Sequence, residues 1–168
     1  MATAKQLLDT DSLIRNSIEA LGEAIGSIPT YSPPALARAV QAQNNLLLQL
    51  ASEFGLLSST EAGRRLGSRS QTPRNLASSM RRTGRLLAIQ RGQSAQFPGF
   101  QFDEHGQPLL VIRQLRKLAD EFGWSELGIT AWLMGPTTYL DDQRPVDLLR
   151  NAPESVLAAA RASWDVTW

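Results

Sequence analysis

Eight arginines with no acidic residue among them are the side chains of this sequence most suited to binding chemistry. They lie between Glu61 and Asp103. The chain has 17 Lys and Arg against 16 Asp and Glu, so nine basic and 16 acidic residues remain outside this interval. A near-neutral chain that collects its positive charge in one segment forms a local cationic surface, which is what a polyanion binds. The arginines are Arg64, Arg65, Arg69, Arg74, Arg81, Arg82, Arg85 and Arg91.

A short helix is predicted at the start of this segment. Ser58 or Ser59 can cap its amino end, and Glu61 is favourable in its first turn. Gly67 is suited to ending it. Ala62 and Leu66 are four residues apart, so they can share the inward face of this helix.

A second helix is predicted after a turn. Thr72 and Pro73 are suited to the N-cap and the first helical position. Leu76 and Met80 supply an apolar stripe, and the helix runs to residue 82 or 83 before Gly84 ends it. Two short helices, a Gly-containing turn and an arginine-rich second helix indicate a helix-turn-helix.

A β-hairpin is predicted directly after the second helix. Its strands are LLAIQ (residues 86–90) and AQFPGFQF (residues 95–102), joined by a turn at residues 91–93. Packed beside the helices, this hairpin would form a wing.

The predicted helix-turn-helix assigns different roles to its polar residues on DNA. Arginine suits guanine and asparagine suits adenine, so the best-placed base readers are Arg74, Asn75 and Ser78. Residues leading into the helix would lie near the backbone, namely Arg69, Ser70, Gln71 and Thr72. The remaining candidates are phosphate contacts, which bring salt dependence without sequence information: Arg81, Arg82, Arg85 and Arg91. The alternative is a merely solvated face, although ordinary soluble faces mix both signs of charge.

Composition limits the class of protein. The chain has 168 residues, of which 42% are hydrophobic and 20% charged, enough for one domain or a few small modules. It has no cysteine, so disulfides and thiolate metal sites are excluded. The amino terminus does not have the pattern of a secretory signal, and no stretch approaches the roughly 20 apolar residues of a membrane span. We therefore expect a cytoplasmic protein without membrane contact.

Two helices are predicted before the basic segment. The first covers residues 1–28 with a heptad seam, and Pro33 and Pro34 separate it from a second that runs to about Phe54. The second has an apolar side formed by Leu36, Val40, Leu47, Leu50 and Phe54. The pair can form an antiparallel hairpin, associate with a second copy, or pack onto the central module.

The carboxyl-terminal third is predicted to be a small helical domain. Helical spacing runs from Leu109 to Phe122, and further short helices end before Gly135 or begin at Pro145 and Pro153. The predicted fold is thus mainly α, with an N-terminal helical hairpin (residues 1–55), a helix-turn-helix with a short β-hairpin wing (56–108) and a C-terminal helical domain (109–168). All four tryptophans lie in the last part: Trp124, Trp132, Trp164 and Trp168. The last two either fold back onto their own domain or belong to a partner surface.

Enzymatic chemistry is not predicted. His105 is the single histidine and has no second histidine or cysteine to join it as a metal ligand. Asp141 and Asp142 are adjacent carboxylates on a turn, which diverge. The sequence has no Gly-rich phosphate loop, metal set or base–nucleophile pair, so we expect no catalytic residue, metal or cofactor.

The segment from Ala131 to Arg161 resembles the toxin-binding domain of antitoxins of the Xre/MbcA/ParS type. The matching stretches are AWL (residues 131–133), Pro136, Leu140, RPVDLLR (144–150) and VLAAAR (156–161). Asp141-Asp142 stands where that family carries Gly-Gly. Residues 56–108 are similar to the DNA-binding part of longer members, although the pattern is nearer to a winged or MerR-like helix-turn-helix than to the usual Xre arrangement.

This resemblance implies an antitoxin that covers the active site of its cognate toxin, commonly a RES-type, NAD-consuming enzyme, and that represses its own operon by binding operator DNA. A homodimer or a larger hetero-oligomer with the toxin is then expected. The candidate toxin-binding residues are Trp132, Arg144, Trp164, Asp165, Val166 and Trp168. Arg144 has the alternative role of holding the domain together. The competing interpretation is a plain DNA-binding regulator whose C-terminal domain senses a ligand or mediates oligomerisation.

Overall fold

The structure is a computed structural model that describes residues 34–165. The predicted first helix, Val166 and Trp168 lie outside these residues. A division between Gln43 and Asn44 separates the chain into two units. The predicted boundaries at residues 55 and 108 both lie within the second unit and stay sequence predictions. None of the helices in the described part is long and apolar enough to cross a membrane.

The described residues are mainly helical and form seven α-helices, as the sequence predicts. These are α1 (Pro34–Glu53), α2 (Ser59–Arg65), α3 (Arg74–Arg82), α4 (Leu110–Phe122), α5 (Glu126–Met134), α6 (Pro145–Leu148) and α7 (Pro153–Trp164). Proline stands at the first turn of α6 and α7, where its missing N–H is not needed. Gly123 has φ 72° and ends α4 in the left-handed region.

Helix α1 follows its predicted stripe over its second half. Leu50 is fully buried, and Leu47 and Phe54 pack partly buried against the same core. Leu36 and Val40, at the other end of the stripe, are 57% and 52% exposed. The stripe therefore marks a buried face from residue 46 onward.

A small antiparallel sheet accompanies the helices. The predicted hairpin forms strands β2 (Ile89–Arg91) and β3 (Ser94–Pro98), with Arg91 opposite Ser94 across the turn. A third strand, β1 (Leu56–Ser58), pairs with β3 on its other side, so the strand order is β1-β3-β2. Strand β1 was not predicted from the sequence, because its three residues are too few to show an alternating pattern.

The segment between residues 86 and 89 contributes side chains to two apolar cores. A small core under the helix-turn-helix and sheet contains Leu86 and Ala88, and a larger core under the C-terminal helices contains Leu87 and Ile89. Successive side chains of an extended segment point to opposite sides, so this segment supplies alternate residues to the two cores. The central and C-terminal modules are consequently joined by apolar packing.

A buried amide holds this shared segment in place. Gln101 is 0% exposed and lies in a 3₁₀ turn (Gly99–Gln101) after β3. Its Oε1 accepts a hydrogen bond from the Leu87 N–H at 2.6 Å, and its Nε2 donates to the carbonyls of Leu87 and Pro98, each at 2.9 Å. The amide thus satisfies both backbone groups of Leu87 where the chain has no strand partner for them.

Replacing Gln101 with leucine is expected to destabilise the fold strongly. The variant leaves the buried Leu87 N–H and two carbonyls without partners, and an unsatisfied buried group costs about 1–3 kcal/mol. We expect urea denaturation to give a free energy of unfolding about 3 kcal/mol lower for Q101L. The matched control is Gln114→Leu on the exposed face of α4, which should change the free energy of unfolding by less than about 0.5 kcal/mol. Equal effects of both variants would contradict the role given to the amide.

Candidate nucleic-acid interface

Helix α2 begins with a complete capping box. The Ser58 hydroxyl accepts a hydrogen bond from the Glu61 N–H at 3.3 Å, and the Glu61 carboxylate accepts one from the Ser58 N–H at 2.7 Å. These bonds to Ser58 lower the pKa of Glu61 below its usual value. The predicted cap at Ser58 is confirmed, and it satisfies two amides that the helix itself leaves free.

The two helices approach each other most closely at a glycine. A Cβ atom added to Gly63 would lie 1.9 Å from the Pro73 carbonyl oxygen, a separation that no carbon atom can occupy. Gly63 therefore allows α2 to pack directly against the start of α3. This role was not predicted from the sequence; a glycine inside a predicted helix was the available signal, since it costs about 1 kcal/mol there without such a reason.

The turn between the helices is held by its own hydroxyl groups. The Thr72 N–H donates to the Ser70 hydroxyl at 3.1 Å, and the Ser70 N–H donates to the Ser68 hydroxyl at 3.4 Å. Gly67 has φ 85°, the left-handed conformation expected at the end of α2. Such local bonds between side chain and backbone favour a defined turn.

Helix α3 has a buried side and a polar, exposed side. Ala77 is fully buried, and Leu76 and Met80 pack partly buried beside the small core. The three predicted base readers are all exposed: Arg74, Asn75 and Ser78. The Asn75 Nδ2 donates to the Thr72 hydroxyl at 3.2 Å, which orients the amide near the amino end of the helix. The predicted span of this helix is confirmed to within a residue, although Pro73 rather than Thr72 is the N-cap.

The flanking positions extend this polar side. The four residues that lead into α3 are exposed, namely Arg69, Ser70, Gln71 and Thr72. Three of the predicted phosphate contacts are also exposed, and they lie at the end of α3, after it and in the hairpin: Arg82, Arg85 and Arg91. The part of the chain from Ala62 to Phe102 contributes no carboxylate to this surface.

Arg81 requires a correction to its predicted role as a phosphate contact. Its guanidinium faces inward to the carboxylate of Glu126, with Nη2 at 2.7 Å and Nε at 3.0 Å from Oε2. The side chain is 30% exposed, and its Nη1 also donates to Gln90 at 3.4 Å. This pairing within the protein favours a structural role for Arg81 over the predicted phosphate contact. Glu126 is 45 residues away in sequence, so no local pattern could predict the pair.

Two of the predicted toxin-binding tryptophans, Trp132 and Trp164, form an aromatic cluster with Trp124. Trp164 is 4% exposed, stacks on Trp124 at 4.9 Å between ring centroids and meets Trp132 edge-on at 5.3 Å. Trp132 is partly buried and donates its indole N–H to Ser163 at 3.2 Å. Of the two alternatives predicted for Trp164, the structure favours the one in which the ring folds back onto neighbouring helices, because it is buried there. Asp165 is exposed.

Arg144 links the start of α6 to the end of α1. Its guanidinium bonds Asp147 at 2.8 Å and Glu53, at the end of α1, at 2.9 Å. Hydrogen bonds to Asp147 and then Glu53 raise the pKa of Arg144, and the bond from Arg144 lowers the pKa of Asp147. Of its two predicted roles, the geometry favours the structural one, in which Arg144 joins α6 to α1.

The remaining polar candidates lie apart from any such arrangement. His105 is exposed in a turn where Asp103 accepts hydrogen bonds from the His105 and Gln107 N–H groups, each at 2.8 Å. Asp141 and Asp142 are exposed and have φ values of 53° and 59°. This left-handed region favours glycine, so both aspartates adopt a conformation that is uncommon for residues with a side chain. Among residues 34–165, no group of three or more acidic or histidine side chains could hold a metal ion.

Comparison with known proteins yields a fold likeness. No protein-family model matches the chain. No curated protein matches it either. Among solved structures, it is similar to the NMR structure of Rv2175c, with a TM-score of 0.58 and 22% sequence identity over 67% of this chain and 82% of that chain. At this identity the likeness concerns the fold.

Replacing Gly63 with alanine is expected to disrupt the helix-turn-helix. The added methyl group would overlap the Pro73 carbonyl, so α2 and α3 must separate and their shared core must open. We expect the free energy of unfolding to fall by about 3 kcal/mol or more, measured by chemical denaturation.

The control for this variant is Gly67→Ala, at the end of the same helix. A Cβ atom added to Gly67 would have no other atom within 4 Å, so the substitution tests the backbone conformation alone. Because Gly67 has a positive φ, G67A should cost only about 1 kcal/mol. A smaller loss for G63A than for G67A would contradict the close approach.

Proposed function

We propose that this protein is a sequence-specific DNA-binding regulator that inserts α3 into the major groove. The observation that carries the proposal is the exposed side of α3, which presents Arg74, Asn75 and Ser78 within a segment, residues 62–102, that is rich in arginine and has no Asp or Glu. A helix of this width fits the major groove, and Arg and Asn pair with the edges of guanine and adenine there. The turn before α3 and the arginines around it would then lie along the phosphate backbone.

The β-hairpin supports this proposal as a wing. Strands β2 and β3 project a two-residue turn, Gly92-Gln93, with Arg91 immediately before it. Arg85 lies in the segment that joins α3 to the hairpin, Arg91 is the last residue of β2, and both are exposed. Contacts from these residues would add charge neutralisation and orientation without reading bases.

The first test measures DNA binding by fluorescence anisotropy with duplexes from the region upstream of the chain's own gene, as a function of salt. We expect affinity to fall steeply as salt rises, because bound arginines release counterions. Arg74→Gln should weaken binding to the preferred duplex about tenfold or more, the effect of losing one base-reading arginine. The matched control is Arg161→Gln on α7, an exposed arginine whose nearest carboxylate is 3.9 Å away, and it should leave binding unchanged. Equal losses for both variants would reduce the effect to net charge and contradict the proposal.

We further propose that the regulator is the antitoxin of a toxin–antitoxin pair. The sequence resemblance of residues 131–161 supports this role. A second support is the exposed turn after α5, where Tyr139 is 55% exposed beside the left-handed Asp141 and Asp142. Strained backbone of this kind concentrates at sites that bind partners. Contact with a toxin would then come from this turn and from the residues at and after Asp165, since Trp164 and Arg144 serve the domain itself.

The antitoxin role is tested by co-expression with the product of the neighbouring gene. We expect the full chain to restore growth and to be isolated in complex with that product. Truncation after Arg161 would remove Trp164 from the core, so the informative truncation ends at Asp165 and removes only Val166, Thr167 and Trp168. We expect this variant to keep DNA binding and to lose neutralisation. A neighbour that is harmless when expressed alone would leave a plain DNA-binding regulator, the alternative interpretation.

A further inference from the structure

One carboxylate connects the DNA-facing helix with three other elements. Glu126 is the first residue of α5, and its side chain is 20% exposed. Oε2 accepts hydrogen bonds from Arg81 on α3, and Oε1 accepts one from the Ala88 N–H at 3.1 Å and one from Arg116 Nη1 on α4. The donors are thus the carboxyl end of α3, the shared segment before β2, and α4.

The geometry of the Arg81 contact fixes an orientation and not merely a distance. Two nitrogens of a planar guanidinium meet one carboxylate, Nε at 3.0 Å and Nη2 at 2.7 Å, so rotation of the group would break at least one bond. The third nitrogen, Nη1, reaches Gln90 on β2 at 3.4 Å. Arg81 therefore ties α3 to the wing on one side and to α5 on the other.

Charge makes this arrangement sensitive to the loss of Glu126. Two guanidinium groups, Arg81 and Arg116, converge on the single carboxylate, and their side chains are 30% and 19% exposed. Without the carboxylate, two partly buried cations would remain close together and repel each other. The simplest relief is that the Arg81 side chain turns away, and α3 then loses its link to α5.

We propose that Glu126 is a positioning residue for DNA recognition, which sets the orientation of α3 relative to the wing through Arg81. Arg81 then acts as a structural link from α3 to α5 and β2, and it does not contact DNA. This proposal rests on the proposed DNA-binding function. A phosphate contact and a structural link are two different roles for Arg81, and they make opposite predictions for salt dependence and for sequence discrimination. Measuring both quantities therefore distinguishes the two roles.

The test compares Arg81→Gln with Arg82→Gln, its exposed neighbour on the same helix, in the full-length chain. The probes are a duplex that the wild-type protein selects from a random-sequence pool and a scrambled duplex of equal length. Arg82→Gln should weaken both duplexes and lower the salt slope by about one, as the loss of a phosphate contact does. Arg81→Gln should leave the slope unchanged, weaken the selected duplex about tenfold and change the scrambled duplex less than about twofold.

Glu126→Gln supplies the second half of the test. Removing an acidic charge beside a DNA-binding surface would strengthen binding if the carboxylate only repelled phosphate. A positioning role predicts that Glu126→Gln weakens binding to the selected duplex about tenfold. The Arg81→Gln/Glu126→Gln double variant should show no further loss of affinity, because each single change already breaks the Arg81–Glu126 ion pair. Circular dichroism melting checks that each variant is folded. If a variant is not folded, Arg81→Lys is measured in its place, since lysine keeps the charge but cannot form the two-nitrogen contact.

The outcomes distinguish this proposal from the one on which it rests. If the wild-type protein enriches no duplex from the pool, the proposed DNA-binding function fails. If it enriches one, but Arg81→Gln lowers the salt slope as Arg82→Gln does, or the two losses add in the double variant, Glu126 is not a positioning residue. If Arg81→Lys discriminated between the selected and the scrambled duplex nearly as well as the wild-type protein does, the positioning role would likewise be contradicted.

Discussion

The fold of the second unit depends on the hydrogen bonds of one buried amide. Gln101 holds the backbone of Leu87 at the point where the chain passes from the helix-turn-helix into the hairpin. Leu86 and Leu87 can then enter two different cores, one on each side of the chain. A buried polar group is stable only when its hydrogen bonds are made, and both ends of this amide make theirs. The amide therefore specifies the path of the chain, which apolar packing alone would leave open.

The arginines are divided between exposed positions and positions that are paired within the protein. The exposed arginines of α3 and its flanks remain free for a polyanion, whereas those with structural roles are each paired within the protein. Arg81 and Arg116 meet Glu126, and Arg144 meets Glu53 and Asp147. Two of these ion pairs join elements that are distant in the sequence, namely Arg81 with Glu126 and Arg144 with Glu53. Arginines with similar neighbours in the sequence thus differ in whether a carboxylate from another element reaches them.

Much of the fold could be predicted because its signals are local. The cap at Ser58, the stops at Gly67 and Gly84, and the prolines of α6 and α7 each act within one helical turn. The hairpin was predictable from two largely apolar runs on either side of a glycine turn. The candidate base readers are exposed as expected, because the apolar residues of α3 already fix which side of the helix is buried.

The sequence by itself determined the helices, the hairpin and the cationic segment, since periodicity, capping and charge are properties of neighbouring residues. Only the tertiary structure decided which residues of that segment are free. It paired Arg81 with Glu126, buried Trp164 against Trp124, and brought the Pro73 carbonyl to the place where Gly63 has no side chain. Each of these contacts joins residues from different elements. Their distances follow from how the helices pack, which no local pattern contains.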